Sequence, residues 1–245
     1  MEEEILKSLE GKRIIFCLPG DSYSGDFLVN FYGLTSRLLS TGVNTSVANL
    51  SGSCIHRLRN QVGGGRPDYG LYQRPYSTGP DDEKYDYIMW IDSDIKFALE
   101  SFTKLIALDK DICTGWYKQK DGLPACGFTD KIKDKYDQRN PPFPLYDRHN
   151  IYRHYNDKEI ESKTEPYPID WVGMGWFLVK SGVMETVKYP WFLPRTVRVG
   201  KFEDGEHLYD SLSEDISFQM ALKEAGHKIW LDPTCKVGHE KVMVL

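Results

Sequence analysis

The chain is poor in several features, and each shortage narrows what it can be. Its 5 cysteines, Cys17, Cys54, Cys113, Cys126 and Cys235, are scattered, odd in number and without a C-x-x-C pair. Neither a zinc knuckle nor a disulfide framework is indicated, and buried reduced thiols are the plain expectation. A basic excess is also lacking: 31 Lys and Arg stand against 36 Asp and Glu, a net charge of −5. No global positive field therefore draws nucleic acid or an anionic membrane. No apolar run approaches the length of a membrane span, and Met1-Glu2-Glu3-Glu4 is the opposite of a signal peptide. The expectation is a cytoplasmic protein with no membrane span. There is no internal repeat, and no linker divides the 245 residues into independent domains.

What is present is an ordinary globular composition, 40% hydrophobic and 27% charged. One stretch organises it: Tyr87-Ile88-Met89-Trp90-Ile91 followed by Asp92-Ser93-Asp94. The apolar run has no amphipathic period, as expected of a strand buried on both faces. Charges are costly to bury, so Asp92 and Asp94 mark the point where the strand leaves the sheet. In open α/β sheets that carboxyl edge is where ligands bind. Two readings of the pair stay open. Asp-x-Asp can offer hard oxygen donors to one cation, or it can cap the following turn.

The flanking pattern is βαβ-like. Arg13 to Asp21 reads as a first buried strand and turn. Asp26 to Ser40 is a helix stopped by Gly42. Val43 to Leu50 is a strand and Ser53 to Val62 a helix. Gly63 to Lys84 is irregular, with its tip expected on the edge opposite Asp92. Leu99 to Leu108 is a helix, and Asp111 to Lys118 a strand that turns back through Ala125 to Thr129. Lys131 to Glu165 reads as a polar insertion shaping a groove. Pro168 to Val179 is an aromatic strand interrupted by Gly173 and Gly175, a sign of a bulge or a close approach. Ser181 to Lys188 is expected to be a short helix and Gly200 to Tyr209 a polar loop. Ser211-x-x-Glu214 is a capping-box pattern opening a helix closed by Gly226. Lys228 to Leu231 and Cys235 to Val237 are terminal strands, followed by Gly238 and His239.

Three features could carry chemistry: Asp92 with Asp94, Glu214 with Asp215, and His239. Each has a plain counterpart. Acidic residues in a helix's first turn are stabilised by its dipole, and a histidine near a terminus is commonly a packing residue. A helix start that holds a carboxylate over a cleft is also how a general base is presented.

The order of these features resembles a family. The buried strand ending in Asp-Ser-Asp, the Gly-rich aromatic strand, the Ser213-Glu214-Asp215 helix start and Gly238-His239 look like a GT-A fold glycosyltransferase. Cys54 to Asn60 resembles the Arg-Asn helix of family-2-like members. Trp171 to Val179, Pro190-Trp191-Phe192, Ser213 to Phe218 and Val237-Gly238-His239 look like small glycosyltransferases encoded by phages and large DNA viruses. The resemblance runs from about Arg13 to His239. It departs at Gly63–Lys84 and Lys131–Glu165, which bear on the acceptor and the oligomeric state.

The resemblance implies an α/β fold: a single GT-A (Rossmann-like) domain over 1–245, with a mostly parallel central sheet flanked by helices and a smaller mixed sheet near the acceptor side. The nucleotide-binding half would cover about 11–118 and the acceptor half about 119–245. It implies a metal-dependent glycosyltransferase moving a sugar from a nucleotide-diphospho-sugar, UDP- before GDP-, to an acceptor hydroxyl with inversion. Asp215 would be the general base, with Glu214 the second choice. Asp94 and His239, with Asp92 directly or through water, would hold Mn²⁺ (or Mg²⁺). Leu18, Pro19, Gly20, Asp21, Leu50, Ser51, Arg59 and Ser93 would bind the nucleotide donor. Trp116, Gly173, Met174, Gly175, Trp176 and Trp191 would meet the donor sugar or acceptor, which could be a glycan, a protein, a lipid-linked sugar or a modified DNA base. A retaining glycosyltransferase, a nucleotidyltransferase and an inactive sugar-binding relative are the alternatives. Against the nucleotidyltransferase stands the acidic, lysine-free turn Pro19 to Gly25.

Overall fold

The computed structural model describes residues 2–76, 84–129, 152–201 and 206–240. An acidic helix α1 (Glu2–Ser8) leads into β1 (Arg13–Pro19), which is buried after its first residue. Helix α2 (Gly25–Ser40) is capped by Ser24, whose Oγ accepts from the Phe27 N–H at 3.1 Å, and it ends at Gly42 with φ 78°. Strand β2 (Asn44–Leu50) and helix α3 (Ile55–Val62) follow. Residues 63–76 are irregular apart from a 3-10 turn at Pro67–Tyr69; the expected loop tip lies outside the described residues.

The buried run forms β3 (Tyr87–Ile91). It is followed by the short β4 (Ile95–Lys96), α4 (Leu99–Ala107), β5 (Ile112–Trp116) and β6 (Cys126–Thr129). The turn from β5 closes through Ala125 N–H to Tyr117 O (2.8 Å), but β6 then leaves to pair elsewhere. Most of the polar insertion is outside the described residues. Its end holds β7 (Tyr152–His154) and α5 (Asp157–Glu161), the latter opened by a capping box between Asn156 and Glu159.

The single aromatic strand expected over 168–179 is three: β8 (Tyr167–Ile169), β9 (Trp171–Val172) and β10 (Trp176–Lys180), with Gly173–Gly175 as the break. The short helix expected after it is only a 3-10 turn at Met184–Thr186. Where a polar loop is expected over 200–209, the described residues instead form the arms of a hairpin, β11 (Thr196–Lys201) and β12 (His207–Ser211), and 202–205 lie outside the described residues. Helix α6 (Glu214–Glu224) starts two residues past the expected cap, with Ser213 rather than Ser211 at its N-cap. The two terminal strands are one, β13 (Ile229–Lys236), followed by β14 (Gly238–His239).

Seven strands form one sheet in the order β2-β1-β3-β10-β5-β13-β8. The protein is α/β, but the expectation of a mostly parallel sheet is corrected: the sheet is mixed. β2, β1 and β3 run parallel; β10 is antiparallel to both neighbours; β5 and β13 run parallel; β8 closes the edge antiparallel. The reason lies in the connection. The chain enters β10 from the Gly173–Gly175 turn at the carboxyl edge of β3, where Gly175 O accepts the Asp92 N–H at 3.1 Å, so it can only run back down. The smaller sheet expected to be mixed, β7-β6-β9, is antiparallel throughout.

Both faces of the large sheet are covered, which is why β1 and β3 are continuous apolar runs. Ile15, Ile88 and Trp90 pack with Leu58 of α3 and Phe218 and Leu222 of α6. Ile14, Phe16, Met89 and Ile91 pack with Phe27, Leu34 and Leu38 of α2 and Phe102 of α4. β5 and β13 approach so closely at Gly115 that an added Cβ would run into Cys235 O and lie 2.8 Å from its Sγ. Gly115→Ala is therefore expected to separate the two strands and to cost about 1–3 kcal/mol. An unchanged urea midpoint would contradict this. Among the described residues no helix is long and apolar enough to cross a membrane.

Candidate functional site

The carboxyl ends of β1, β3, β5 and β13 share one edge of the sheet, and the predicted residues collect there. Asp92 leaves β3 and starts a tight turn, with Ile95 N–H donating to Asp92 O at 3.1 Å. β4 then pairs with β14, setting His239 opposite Ile95. That two-stranded ribbon, closed by Glu240 N–H to Asp94 O at 2.6 Å, carries His239 to Asp94 from the far end of the chain.

The His239 contacts define its chemistry. Nδ1 lies 2.7 Å from the carbonyl oxygen of Lys118, which can only accept, so Nδ1 carries the hydrogen. Nε2 faces Asp94 Oδ2 at 2.9 Å. In neutral imidazole that leaves two lone pairs facing each other, an arrangement that needs a proton or a cation between them. A histidine anchored through its other N–H on a backbone carbonyl is a common arrangement in metal sites. The donor set, a hard oxygen and an imidazole nitrogen, suits Mn²⁺. The 2.9 Å separation is about that of adjacent ligands each roughly 2.1 Å from a metal. Among the described residues no group of three His, Cys, Asp or Glu forms a metal cluster. A cation here would take two protein ligands and complete its shell from water or substrate oxygens.

Asp92 is held differently. Arg59, only 4% exposed on α3, places Nη2 3.0 Å from both Asp92 carboxylate oxygens and Nε 3.2 Å from Glu214 Oε1. Its guanidinium lies over the Trp90 ring, 5.9 Å from the centroid. The carboxylates beside it raise its proton affinity further, against the opposing effect of burial. Arg59 Nη1 is buried without a hydrogen-bond partner, and Asp92 Oδ1 meets Arg59 only as an ion pair. Asn60, the next residue, holds the other side: its Oδ1 accepts from Phe192 N–H at 3.2 Å. Helix α3 thus ties the end of β3 to the start of α6.

Asp215 sits in the first turn of α6. Ser213 Oγ donates to its Oδ1, and so does the Ile216 N–H at 2.7 Å. The residue is half-buried. Burial, then the neighbouring Glu214 charge, pushes it above the ordinary carboxylate value. Asp92 and Glu214 both contact the one guanidinium of Arg59, and Asp215 lies next to Glu214 on α6, so carboxyl groups outnumber the cation here.

The residues expected at the nucleotide are contiguous. Gly20 N–H donates to Leu50 O at 3.2 Å, joining the ends of β1 and β2. A Cβ on Gly20 would stand 2.7 Å from Ser93 Cβ, so this turn rests directly on Asp92-Ser93-Asp94. Two residues missed in the sequence organise it. Asn49 Nδ2 reaches Leu18 O (2.8 Å), Gly20 O (3.1 Å) and Tyr23 Oη (2.7 Å). Tyr23 Oη donates to Leu18 O at 2.9 Å. Nothing in their local pattern announces this, because the contacts cross between two strand ends.

The tryptophans take another place. Trp116 is fully buried, donating Nε1–H to Pro233 O at 2.9 Å. Trp176 is fully buried against Phe97, with centroids 4.9 Å apart, and Trp191 and Met174 are buried as well. In this structure all four side chains are core, Trp116 and Trp176 because β5 and β10 are interior strands of the large sheet. Cys54 is exposed and the other four cysteines are buried and free.

Together the sheet and the side-chain cluster define an α/β protein with an acidic, arginine-organised group of residues at the carboxyl edge of a mixed sheet. No protein-family model and no curated protein matches the chain.

Proposed function

We propose that the protein is a GT-A-type glycosyltransferase that moves a sugar from a nucleotide-diphospho-sugar, UDP-linked before GDP-linked, to an acceptor hydroxyl with inversion. The observation that carries this reading is the Asp94–His239 pair, 2.9 Å apart with Nδ1 committed to a carbonyl, beside the strand ends of β1 and β2. Asp94 and His239 would hold Mn²⁺, which would neutralise charge on the diphosphate leaving group. Asp92 is better occupied in orienting Arg59, whose unpartnered Nη1 is a donor suited to a phosphate oxygen.

The chain's own groups account for the rest. Leu18 to Asp21, Leu50, Ser51 and Ser93 frame the nucleoside. Asp215, with its raised proton affinity, takes the proton from the attacking acceptor hydroxyl. Glu214 is fixed on Arg59 and shapes the field around that base.

Purified protein with UDP- and GDP-sugars is expected to release nucleoside diphosphate in Mn²⁺ and not in chelator. Release of pyrophosphate would instead indicate nucleotidyl transfer, and binding without turnover a sugar-binding protein. Asp94→Ala is expected to lose Mn²⁺-dependent donor affinity by about 10–100-fold or more; unchanged affinity would remove the metal site.

A further inference from the structure

The two glycines between β9 and β10 have a neighbour that the sequence does not reveal. Tyr117 follows β5, its ring is buried, and its hydroxyl accepts the Gly175 N–H at 3.2 Å. A Cβ on Gly173 would run into that hydroxyl, and one on Gly175 would come within 2.9 Å of it. The space left by both missing side chains is filled by the phenol. The Gly175 carbonyl in turn accepts the Asp92 N–H at 3.1 Å, so the phenol is linked through one residue to the end of β3. The other face of Tyr117 meets His239, with ring centroids 5.3 Å apart at 57°. Lys118, the adjacent residue, supplies the carbonyl that fixes His239 Nδ1.

We infer that Tyr117 is the positioning residue of this site: its hydroxyl sets the Gly173–Gly175 turn and the Asp92 backbone, and its ring sets the imidazole of His239 toward Asp94. Gly173 and Gly175 are thereby assigned to Tyr117 rather than to a ligand. Burial, with the Asp92 and Asp215 charges nearby, drives the phenol's proton affinity up. The inference rests on the proposed function where it concerns the metal, and on packing alone where it concerns the glycines.

The full chain tests both parts. Titration with Mn²⁺ alone, followed by electron paramagnetic resonance, reads His239. Steady-state transfer reads the turn, and thermal melting reads the packing. Tyr117→Phe keeps the ring, so Mn²⁺ affinity is expected to stay near wild type while kcat falls about 10–100-fold with little change in donor KM. Tyr117→Leu is expected to lose Mn²⁺ affinity by a similar factor. Gly173→Ala is expected to lower Tm clearly in the wild-type background and much less in the Tyr117→Phe background, because the clashing oxygen is gone.

Wild-type kcat in Tyr117→Phe together with wild-type Mn²⁺ affinity in Tyr117→Leu would overturn the positioning role. An equal Gly173→Ala penalty in both backgrounds would overturn the packing assignment. If the wild type itself binds no Mn²⁺ and transfers no sugar, the proposed function fails, while the Gly173–Tyr117 coupling still decides the packing assignment through Tm.

Discussion

On the proposed function, Asp215→Asn is expected to reduce sugar transfer by about 10²–10⁴-fold, the usual contribution of a positioned general base, while leaving nucleotide-sugar binding intact. The amide keeps the oxygen that Ser213 Oγ and the Ile216 N–H donate to, so the local geometry survives. What is lost is the capacity to take a proton. Tight donor binding with normal transfer would sink the assignment.

The same substitution has a signature in stability. The folded carboxyl has its proton affinity raised, first by burial and then by Glu214. A carboxyl raised in the folded state contributes stability that is complete below its unfolded pKa, about 3.9 for aspartate. That contribution is lost as pH rises through the folded value. The asparagine variant cannot ionise. Its Tm is therefore expected to exceed that of the wild type at pH 8, with the gap closing toward pH 4. A catalytic group held where its charge is disfavoured costs stability; an ordinary helix-capping carboxylate would show the opposite sign.

Arg59→Met carries the largest expected effect on folding. It would leave Asp92 and Glu214 without their shared guanidinium, and breaking a buried ion pair from one side costs about 3–5 kcal/mol. The side chains are 5%, 27% and 13% exposed for Arg59, Asp92 and Glu214, so water relieves little of the cost around Arg59 and Glu214 and more at Asp92. Arg59→Lys is expected to recover only part, because an ammonium cannot span two carboxylates as the guanidinium fork does. Adding Asp92→Asn and Glu214→Gln to Arg59→Met should restore much of the lost urea midpoint, since the orphaned charges go with the cation. A midpoint unmoved by Arg59→Met would mean that the cluster does not brace α3 against β3 and α6.

Sequence reading and structure agree where the signal is local. The unbroken apolar run of β3 follows from burial on both faces, and its end had to be where carboxylates begin. Gly42 and Gly226, with φ of 78° and 95°, close their helices in a conformation that glycine adopts freely. The Asp92-Ser93-Asp94 turn and the acidic start of α6 were legible for the same reason.

Where partners are distant, the pattern was silent or misleading. Aromatic residues read equally well as stacking faces or core, and only the interior position of β5 and β10 made Trp116 and Trp176 core. Arg59 could have faced a phosphate alone; the folding of α3 over β3 gave it Asp92 and Glu214. Gly173 and Gly175 looked like room for a ligand until Tyr117 was seen to fill it.

The amino-acid pattern by itself determined the strands and helices of the first half of the chain from β1 to β5, that the sheet is covered on both faces, and that acid lies at the end of β3. Those properties follow from the period and sign of neighbouring side chains. The tertiary structure alone decided the reversed direction of β10, the ribbon of β4 and β14 that brings His239 to Asp94, and the choice of Arg59 as partner to Asp92. Each is a pairing between remote segments, set by which connections can close and which buried charges must be matched, and no local period encodes either.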